Sequence, residues 1–476
     1  MRTFLEHLRF AITVDPDDRV IEDAAIVIDE TTIGDIGPTG DVWGRNPPEP
    51  DDRIVDGRGL GATPGFVDAH VHLSETLSRA GFPDRLDTRA WVFEWVMPYY
   101  GELTAEDEVV AVQLAAAEML RSGTTCFLDM GALNDPRRTV PALVDVGIRG
   151  ITGRHAADVK PDPIPDGWTP RMVEHHFFPS TRAALAELEA CVRDLDGAAD
   201  GRIRCWANIQ GKEPCSAELH VGARALAERL GVGTTYHIAS TRKEADLSEA
   251  RYGLRPVARM EELGALGSNL VLAHAVAVTD EEVETIARRG ASVAFCPGTS
   301  LKLAKGATAV GRYPEMLEAG VTVALGTDGV SAAGNLSLMR QMHLVAGLFK
   351  DARMDPTLIG ARAALRMATI DGARALGLNE QVGSLEPGKK ADLVLFDLNH
   401  PEWIPYQDPI QGLVWSATPA SISQTWVDGR AVVAGGRLTT IDEAALGAEG
   451  TERAGALMRR AGLSAEGRRL TTTTYE

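Results

Sequence analysis

The sequence predicts an α/β protein built on a (β/α)8 barrel, with a smaller β unit contributed by both chain ends. Between Pro64 and about Gly383, short apolar runs alternate with longer amphipathic stretches, as in chains that form parallel sheets. Eight such runs occur, and no GxGxxG motif follows any of them, which favours a closed barrel over an open doubly wound sheet. Before and after this region the runs are short and separated by turn residues.

The two ends of the chain share this turn-rich β pattern. The first sixty or so residues read as short strands broken by Asp and Gly, and the same character returns after the barrel region, where it could complete the N-terminal unit. We therefore predict a composite β domain from residues 1–63 and 384–441. The barrel would occupy residues 64–383, and residues 442–476 would form an exposed helical tail.

Each predicted barrel strand is a short apolar run, and several of the segments between them carry helix-boundary signals. Thr104 with Asp107 and Thr279 with Glu282 fit the capping box, and Gly231 fits a left-handed C-terminal cap. The predicted strands are GFVDAHVHL, TTCFLDM, IRGITGRH, IRCWANI, GTTYHIAS, NLVLAHA, ASVAFCP and VTVALGTD.

Composition excludes several classes of protein. With 44% hydrophobic and 24% charged residues among 476, the chain has the balance of a globular protein. A net charge of −19 with no basic patch argues against nucleic-acid binding. No apolar run approaches the roughly 20 residues that span a bilayer, and the N-terminus lacks a signal-like core, so we expect a cytoplasmic protein without membrane contact. The five scattered cysteines predict buried thiols.

Histidines gather at the predicted strand ends. His70 and His72 flank one residue of the first strand, and alternation turns both side chains to the same side. His237 lies in the fifth strand, His274 in the sixth, and Asp328 follows the eighth. Because the carboxyl ends of barrel strands meet at one face, these five residues are predicted to converge.

Neutral imidazoles with one carboxylate suit a divalent transition metal such as zinc, iron or cobalt, and leave a coordination position for water. The alternative for any single strand histidine, such as His155 or His343, is a hydrogen-bonded structural role. For His155 taken alone we favour that structural role. The ordered set of five residues favours a metal site.

Five ordered motifs support a resemblance to a known family. They are PGFVDAHVHL, LAHAVAVTDEE, CPGTSLKL, LGTDGVSAAGNLSLMRQM and GSLEPGKKADLVLFD. The chain resembles the amidohydrolase superfamily, in its branch of cytosine and guanine deaminases and triazine hydrolases. That resemblance implies a metal-dependent hydrolase on a distorted (β/α)8 TIM barrel with a β-sandwich from both chain ends, and a homo-oligomer. It also implies that His70, His72, His237 and Asp328 bind the metal, while His274 orients the attacking water or ligates a metal itself.

Two departures from the branch affect the expected chemistry. Its deaminases usually carry a proton-shuttling glutamate three residues after the fifth-strand histidine, where this chain has Ser240, although Glu244 is close by. A serine hydroxyl cannot hold and return a proton near pH 7 as a carboxylate can. Binuclear relatives use a carboxylated lysine on the fourth strand. Here Asn208 and Gln210 lie along it and Lys212 just past it, which predicts one metal per subunit rather than two.

Further residues are candidates for contact with a small-molecule substrate. Glu75 follows the HxH pair by three residues and is either a proton carrier or a surface residue. Trp91 and Trp95 belong to an aromatic cluster that forms either an apolar substrate wall or a helix core or oligomer contact. The candidate substrate-binding residues are thus Glu75, Trp91, Trp95, His155, Asn208, Gln210 and Ser240, with the His175–His176 loop as a further guess.

The missing glutamate favours an acyclic substrate. We expect hydrolysis of a urea, amide or carbamate C–N bond by hydroxide generated at the metal, as in phenylurea or molinate (thiocarbamate) hydrolases, with His274 and Asp328 as the catalytic residues. The alternative is an aminohydrolase of a purine, pyrimidine or triazine ring that uses Glu75 or Glu244. A non-catalytic scaffold is the third hypothesis, disfavoured because every position of a mononuclear site is filled.

Overall fold

The computed structural model of the protein describes residues 2–211 and 213–463. The strands are β1 (Arg2–Ile12), β2 (Val20–Asp29), β3 (Thr32–Pro38), β4 (Arg53–Asp56), β5 (Leu60–Pro64), β6 (Phe66–Val71), β7 (Thr124–Asp129), β8 (Arg149–Gly153), β9 (Ile203–Trp206), β10 (Thr234–Ile238), β11 (Leu270–His274), β12 (Ser292–Phe295), β13 (Val323–Leu325), β14 (Leu393–Asp397), β15 (Ile422–Val427), β16 (Arg430–Ala434) and β17 (Arg437–Leu438).

Helices fill most of the connections. The α-helices are α1 (Thr39–Arg45), α2 (Thr88–Ala90), α3 (Met97–Glu102), α4 (Ala105–Arg121), α5 (Pro136–Val146), α6 (Pro170–His176), α7 (Thr181–Leu195), α8 (Ala217–Leu230), α9 (Arg242–Tyr252), α10 (Pro256–Glu262), α11 (Asp280–Arg289), α12 (Pro297–Lys302), α13 (Ala307–Val310), α14 (Tyr313–Glu318), α15 (Val330–Ala333), α16 (Leu338–Arg353), α17 (Ala361–Met367), α18 (Ile370–Ala375), α19 (Pro409–Trp415) and α20 (Glu443–Arg460). A π-helical segment spans Trp91–Val96, and short 3-10 helices span Leu73–Ser78, Pro401–Trp403 and Pro419–Ser421.

The predicted barrel is confirmed, with a strand inside each of the eight predicted runs. Strands β6 to β9 form one parallel sheet and β10 to β13 another. Past the assigned strand ends, Ile209 N donates to Thr235 O at 3.2 Å and Asp328 N to His70 O at 2.8 Å, so the two sheets meet on both sides. All residues of β6 and β7 are buried, as expected for parallel strands covered on both faces.

The helix-boundary predictions are also confirmed. Thr104 and Asp107 form a reciprocal capping box at the start of α4, as do Thr279 and Glu282 at the start of α11. Gly231 ends α8 with a φ of 68°, a conformation that favours glycine. All five cysteines are buried. Within the described ranges, no helix is both long and apolar enough to cross a membrane.

The chain ends build one mixed sheet in the order β17-β16-β15-β14-β5-β1-β2-β3, with β4 paired to β1. β14 joins the N-terminal strands by pairing antiparallel with β5. The predicted sandwich is therefore a single hydrogen-bonded sheet whose two halves share one core, in which Leu5, Ile26, Leu393 and Trp426 are buried.

Side-chain contacts attach the composite sheet and the last described helix to the barrel region. The Arg149 guanidinium of β8 pairs with Asp392 at 2.8 Å and also contacts Asp428, and all three side chains are largely shielded from solvent. The last described helix, α20, packs against α4 and buries Leu446 and Leu457. Of the predicted tail, residues 464–476 lie outside the described residues.

Candidate active site at the barrel mouth

Five predicted residues meet at the carboxyl ends of four barrel strands. We call His70, His72, His237, His274 and Asp328 the ligand wall. Asp328 lies 3.5 Å from His70 Nε2, 3.4 Å from His72 Nε2 and 3.6 Å from His274 Nε2. The Nε2 atoms of His72 and His237 are 3.2 Å apart. The sequence prediction that these side chains converge is therefore confirmed.

The donor set fits a metal ion. Both ring nitrogens of His70 are buried without a hydrogen-bond partner among the described residues, an arrangement that is costly unless a ligand occupies them. His70, His72 and His237 each offer a donor nitrogen, and these atoms lie within 4.8 Å of one another. Three imidazoles and one carboxylate match the ligands of a catalytic zinc-type centre.

The fifth-strand histidine has a defined tautomer. His237 Nδ1 donates to the backbone oxygen of Gln210, which leaves Nε2 as the lone-pair atom that faces the cluster. Such a hydrogen bond behind the ring orients a metal ligand and increases its basicity. Gln210 thus acts at the site through its carbonyl as well as through its side chain.

Burial keeps the ligand wall in the form that a metal requires. It lowers the pKa of His237 to about 3 and lowers those of His72 and His274 well below the usual range. For Asp328, burial alone raises the pKa, but contact with His70 and the neighbouring His274 outweigh it, so the pKa falls well below its usual value. His72, His237 and His274 are therefore neutral and Asp328 is ionised near pH 7.

The backbone at the strand ends is unusual. His274 has a φ of 72° and Asp328 a φ of 63°, in a region that non-glycine residues seldom occupy and that is enriched at functional sites. Next to Asp328, a Cβ at Gly329 would lie 2.0 Å from Glu75 Oε2. Only glycine at 329 allows the Glu75 carboxylate to approach this turn.

Glu75 is at the site rather than on a surface loop. It is 1% exposed, and its Oε1 lies 3.9 Å from His72 Nδ1. Tyr100 OH donates to Oε1 at 2.6 Å and Ser331 Oγ to Oε2 at 2.7 Å. Burial raises the pKa of Glu75 to about 7 against these two hydrogen bonds, which lower it.

Glu244, the other carboxylate considered as a proton carrier, accepts hydrogen bonds from backbone N–H groups. Its two oxygens accept the N–H groups of Ala239 and Ser240 at 2.9 and 2.8 Å, which secures the turn after β10. Ser240 itself is buried. Lys212, the residue behind the prediction of one metal, lies outside the described residues.

A second group of side chains, which we call the loop wall, comprises Tyr100, His155, His176 and Gln210. His176 Nε2 lies 2.6 Å from Gln210 Oε1, and its ring stacks on Tyr100 with centroids 5.9 Å apart. The His155 ring lies 5.6 Å from that of His176 and 6.1 Å from that of His72, so the two walls adjoin. His155 Nε2 and His176 Nδ1 are buried without a hydrogen-bond partner among the described residues.

The remaining predicted substrate residues are placed differently. Asn208 is fully buried and its Nδ2 donates to the carbonyl of Asp129 at 3.0 Å. Trp91 and Trp95 are buried in the main hydrophobic core, where the Trp95 ring lies 5.4 Å from that of Phe82. Of this aromatic segment, Tyr100 makes the hydrogen bond to Glu75 that joins it to the site.

Lys305 is a site residue that the sequence analysis missed. It follows α12, is 6% exposed, and its Nζ lies 3.1 Å from His274 Nε2. Burial lowers the pKa of Lys305, and Asp328 opposes that effect. Only its position in the CPGTSLKLAKG stretch, just after the seventh strand, could have indicated a place at the mouth.

A groove exists elsewhere in the protein. It has a volume of about 670 Å³ and lies between α4, α20 and the composite sheet, with Leu114, Arg121, Ile422 and Leu446 in its lining. No residue of the ligand wall lines it. Because the titratable groups converge at the barrel mouth, we assign the candidate active site there.

Fold and site together define a metal-dependent hydrolase that acts on C–N bonds other than peptide bonds. The chain belongs to the amidohydrolase family, whose model matches residues 62–432. A 5-methylthioadenosine/S-adenosylhomocysteine deaminase of Moorella thermoacetica is 35% identical over 91% of this chain and 95% of its own length.

Solved structures show the same relationship. An adenosine deaminase from Xanthomonas campestris with bound zinc has a TM-score of 0.85 at 28% identity, covering 96% of this chain and 98% of its own. An atrazine chlorohydrolase from Arthrobacter aurescens, complexed with zinc, has a TM-score of 0.85 at 25% identity, covering 95% and 100%. The predicted deaminase and triazine hydrolase branch is confirmed.

The predicted acyclic urea or carbamate substrate is wrong. Two of the relatives that match almost the whole chain are deaminases of adenosine-type compounds, which supports the ring aminohydrolase alternative. A phenylurea or molinate hydrolase character is not supported by these relatives. The prediction failed because it gave the serine at position 240 more weight than Glu75, which is buried beside His72, and because it missed Lys305.

Proposed function

We propose that the protein is an aminohydrolase of an adenine nucleoside, which replaces the 6-amino group by oxygen and releases ammonia. The observation that carries this proposal is the complete ligand wall in a chain that is related over 91% of its length to a deaminase of 5-methylthioadenosine and S-adenosylhomocysteine. Adenosine, 5-methylthioadenosine and S-adenosylhomocysteine are the substrates to test.

His70, His72, His237 and Asp328 would hold one divalent metal, of which zinc is the ion named for two solved relatives. When bound, such an ion supplies a water molecule of lowered pKa as the nucleophile. Asp328 and the neutral His274, 3.6 Å apart, would orient that water and accept its proton.

The second half of the reaction requires a proton for the departing amine. Glu75 is the buried carboxyl group beside His72, and Tyr100 and Ser331 fix its orientation. We assign Glu75 to deliver that proton, because a carboxyl group held by two donors keeps one geometry while it gains and loses a proton.

The loop wall would contact the sugar. His155 and His176 carry buried nitrogens without partners among the described residues, and burial keeps both rings neutral near pH 7, with a lowered pKa for His155 and one of about 4 for His176. Neutral imidazoles donate to and accept from hydroxyl groups. The wall therefore suits an uncharged ribose better than a phosphate.

The test is release of ammonia by the zinc-loaded protein, measured for the three nucleosides and for an N-aryl urea and a thiocarbamate. Adenine nucleosides should be hydrolysed and the acyclic compounds should not. Chelation of the metal should abolish the activity, and re-addition of zinc should restore it. Ammonia release from guanine or cytosine alone would replace the proposed substrate class.

A further inference from the structure

Lys305 places a buried amino group at the barrel mouth beside His274. Its Nζ is hydrogen-bonded to His274 Nε2 at 3.1 Å, and the residue is 6% exposed. Among the residues that the structure describes, no carboxylate lies within 4 Å of Nζ. An amine buried in this way is expensive for the fold unless a ligand uses it.

Lys305 lies on the side of the mouth that is formed by the ends of β10 and β11. His274 ends β11, next to β10, which carries His237, and the two rings stack with centroids 5.3 Å apart. The turn after β10 continues into Ser240, and Ala277 N donates to Ala239 O at 2.9 Å. Lys305 and Ser240 therefore flank the same edge of the ligand wall, whereas Glu75 lies by Tyr100 and Ser331.

The proposed reaction needs a hydrogen-bond donor at this edge of the ligand wall. When a hydroxide oxygen bonds to C6 of an adenine ring, the π pair of the C6–N1 bond moves to N1, and negative charge develops there. A serine at position 240 provides only a weak neutral donor for that charge. A preorganised amine N–H donor held in a water-poor site stabilises such developing charge far more effectively.

We propose that Lys305 is a catalytic residue that donates a hydrogen bond from Nζ to the ring nitrogen N1 of the substrate. The C6–O bond forms, the π pair moves to N1, and no bond of the lysine is broken in this step. The hydrogen bond to His274 holds Nζ in position before the substrate arrives. This inference rests on the proposed adenine nucleoside aminohydrolase function.

The experiment compares the zinc-loaded wild type with Lys305→Met, Lys305→Arg and the double variant Lys305→Met with Ser240→Glu. Lys350→Met, which changes a lysine that lies over the Trp415 ring, is the control. Steady-state ammonia release from adenosine and 5-methylthioadenosine gives kcat and KM, and zinc content and Tm are measured for every variant. Methionine matches the lysine stem in volume, so loss of the buried amine should not unfold the protein.

We expect Lys305→Met to lower kcat by about 100-fold or more with KM within about threefold, because the donor acts mainly in the transition state. Lys305→Arg should retain part of kcat. Ser240→Glu in the Lys305→Met background should restore kcat by about tenfold or more, since a carboxyl group there can protonate the ring.

Three results would overturn the assignment. If Lys305→Met keeps kcat within threefold of the wild type, the amine has no catalytic role. If kcat is lost but Ser240→Glu restores nothing, Lys305 acts through His274 and does not contact the substrate. If the wild type releases no ammonia from either nucleoside, the proposed function fails, and the assignment fails with it.

Discussion

The ligand wall and the loop wall face the same mouth but are built in different ways. The ligand wall is carried by the ends of β6, β10 and β11 and by the turn after β13, so its positions follow from barrel geometry. The loop wall gathers Tyr100 from α3, His176 from α6, and His155 and Gln210 from the turns after β8 and β9. The scaffold thus fixes the chemistry, while the connecting segments adapt the substrate site.

The largest effect should come from the ligand wall. Asp328→Asn keeps the side-chain volume but removes the carboxylate that lies 3.4 to 3.6 Å from the Nε2 atoms of His70, His72 and His274. We expect loss of bound zinc and a fall in kcat/KM of about 10³-fold or more.

Metal content and ammonia release are measured for Asp328→Asn. Asp371→Asn is the control, since it removes a carboxylate on α18, away from the ligand wall. A zinc-loaded, active Asp328→Asn protein would contradict the ligand assignment and would remove the distinction between the two walls.

A smaller effect is expected in the loop wall. His155→Phe and His176→Phe preserve aromatic volume but remove the nitrogens that we assign to the sugar. Each should raise KM for adenosine by about 10- to 100-fold and change kcat much less, with zinc content unchanged.

The control for these variants is His343→Phe, in α16, where Nδ1 lies 3.3 Å from the carbonyl of Val414. If the loop-wall variants lost zinc in proportion to activity, His155 and His176 would belong with the ligand wall instead.

The sequence predicted the ligand wall well because strand ends in a barrel converge whatever the loops do. Alternation along β6 placed His70 and His72 together, and chain order placed His237, His274 and Asp328 at the same face. All eight barrel strands were predicted for a second reason, which is that buried parallel strands are apolar and short.

The loop wall and Lys305 were harder to predict because their positions depend on tertiary packing. His176 belongs to a helix that is not part of any strand end, and its contacts with Gln210 and Tyr100 place it at the mouth. Trp91 and Trp95 attracted attention by composition, yet their rings lie in the main hydrophobic core while Tyr100 reaches Glu75. Lys305 carries no local signal that separates it from a surface lysine.

The smallest expected effect is a nearly pH-independent metal affinity. Protons compete with a metal only as the pH approaches the pKa of a ligand in the metal-free protein. Burial lowers the pKa of His237 to about 3 and lowers that of His72, so both remain neutral as the pH falls through 6.5, the usual value for histidine. Protonation of these two ligands should therefore lower the zinc affinity by less than about twofold between pH 7.5 and 5.5.

If a histidine ligand were exposed to water, the zinc affinity would instead fall as the pH is lowered. With a pKa near 6.5 it would be about nine-tenths protonated at pH 5.5, and each such ligand would weaken binding roughly tenfold. Equilibrium dialysis against a zinc buffer at constant ionic strength distinguishes these cases. A tenfold or greater loss of affinity over this range would show that water reaches the ligand wall of the metal-free protein. The comparison would then reverse, because the loop wall, where burial lowers the pKa of His176 to about 4, would be the better shielded of the two.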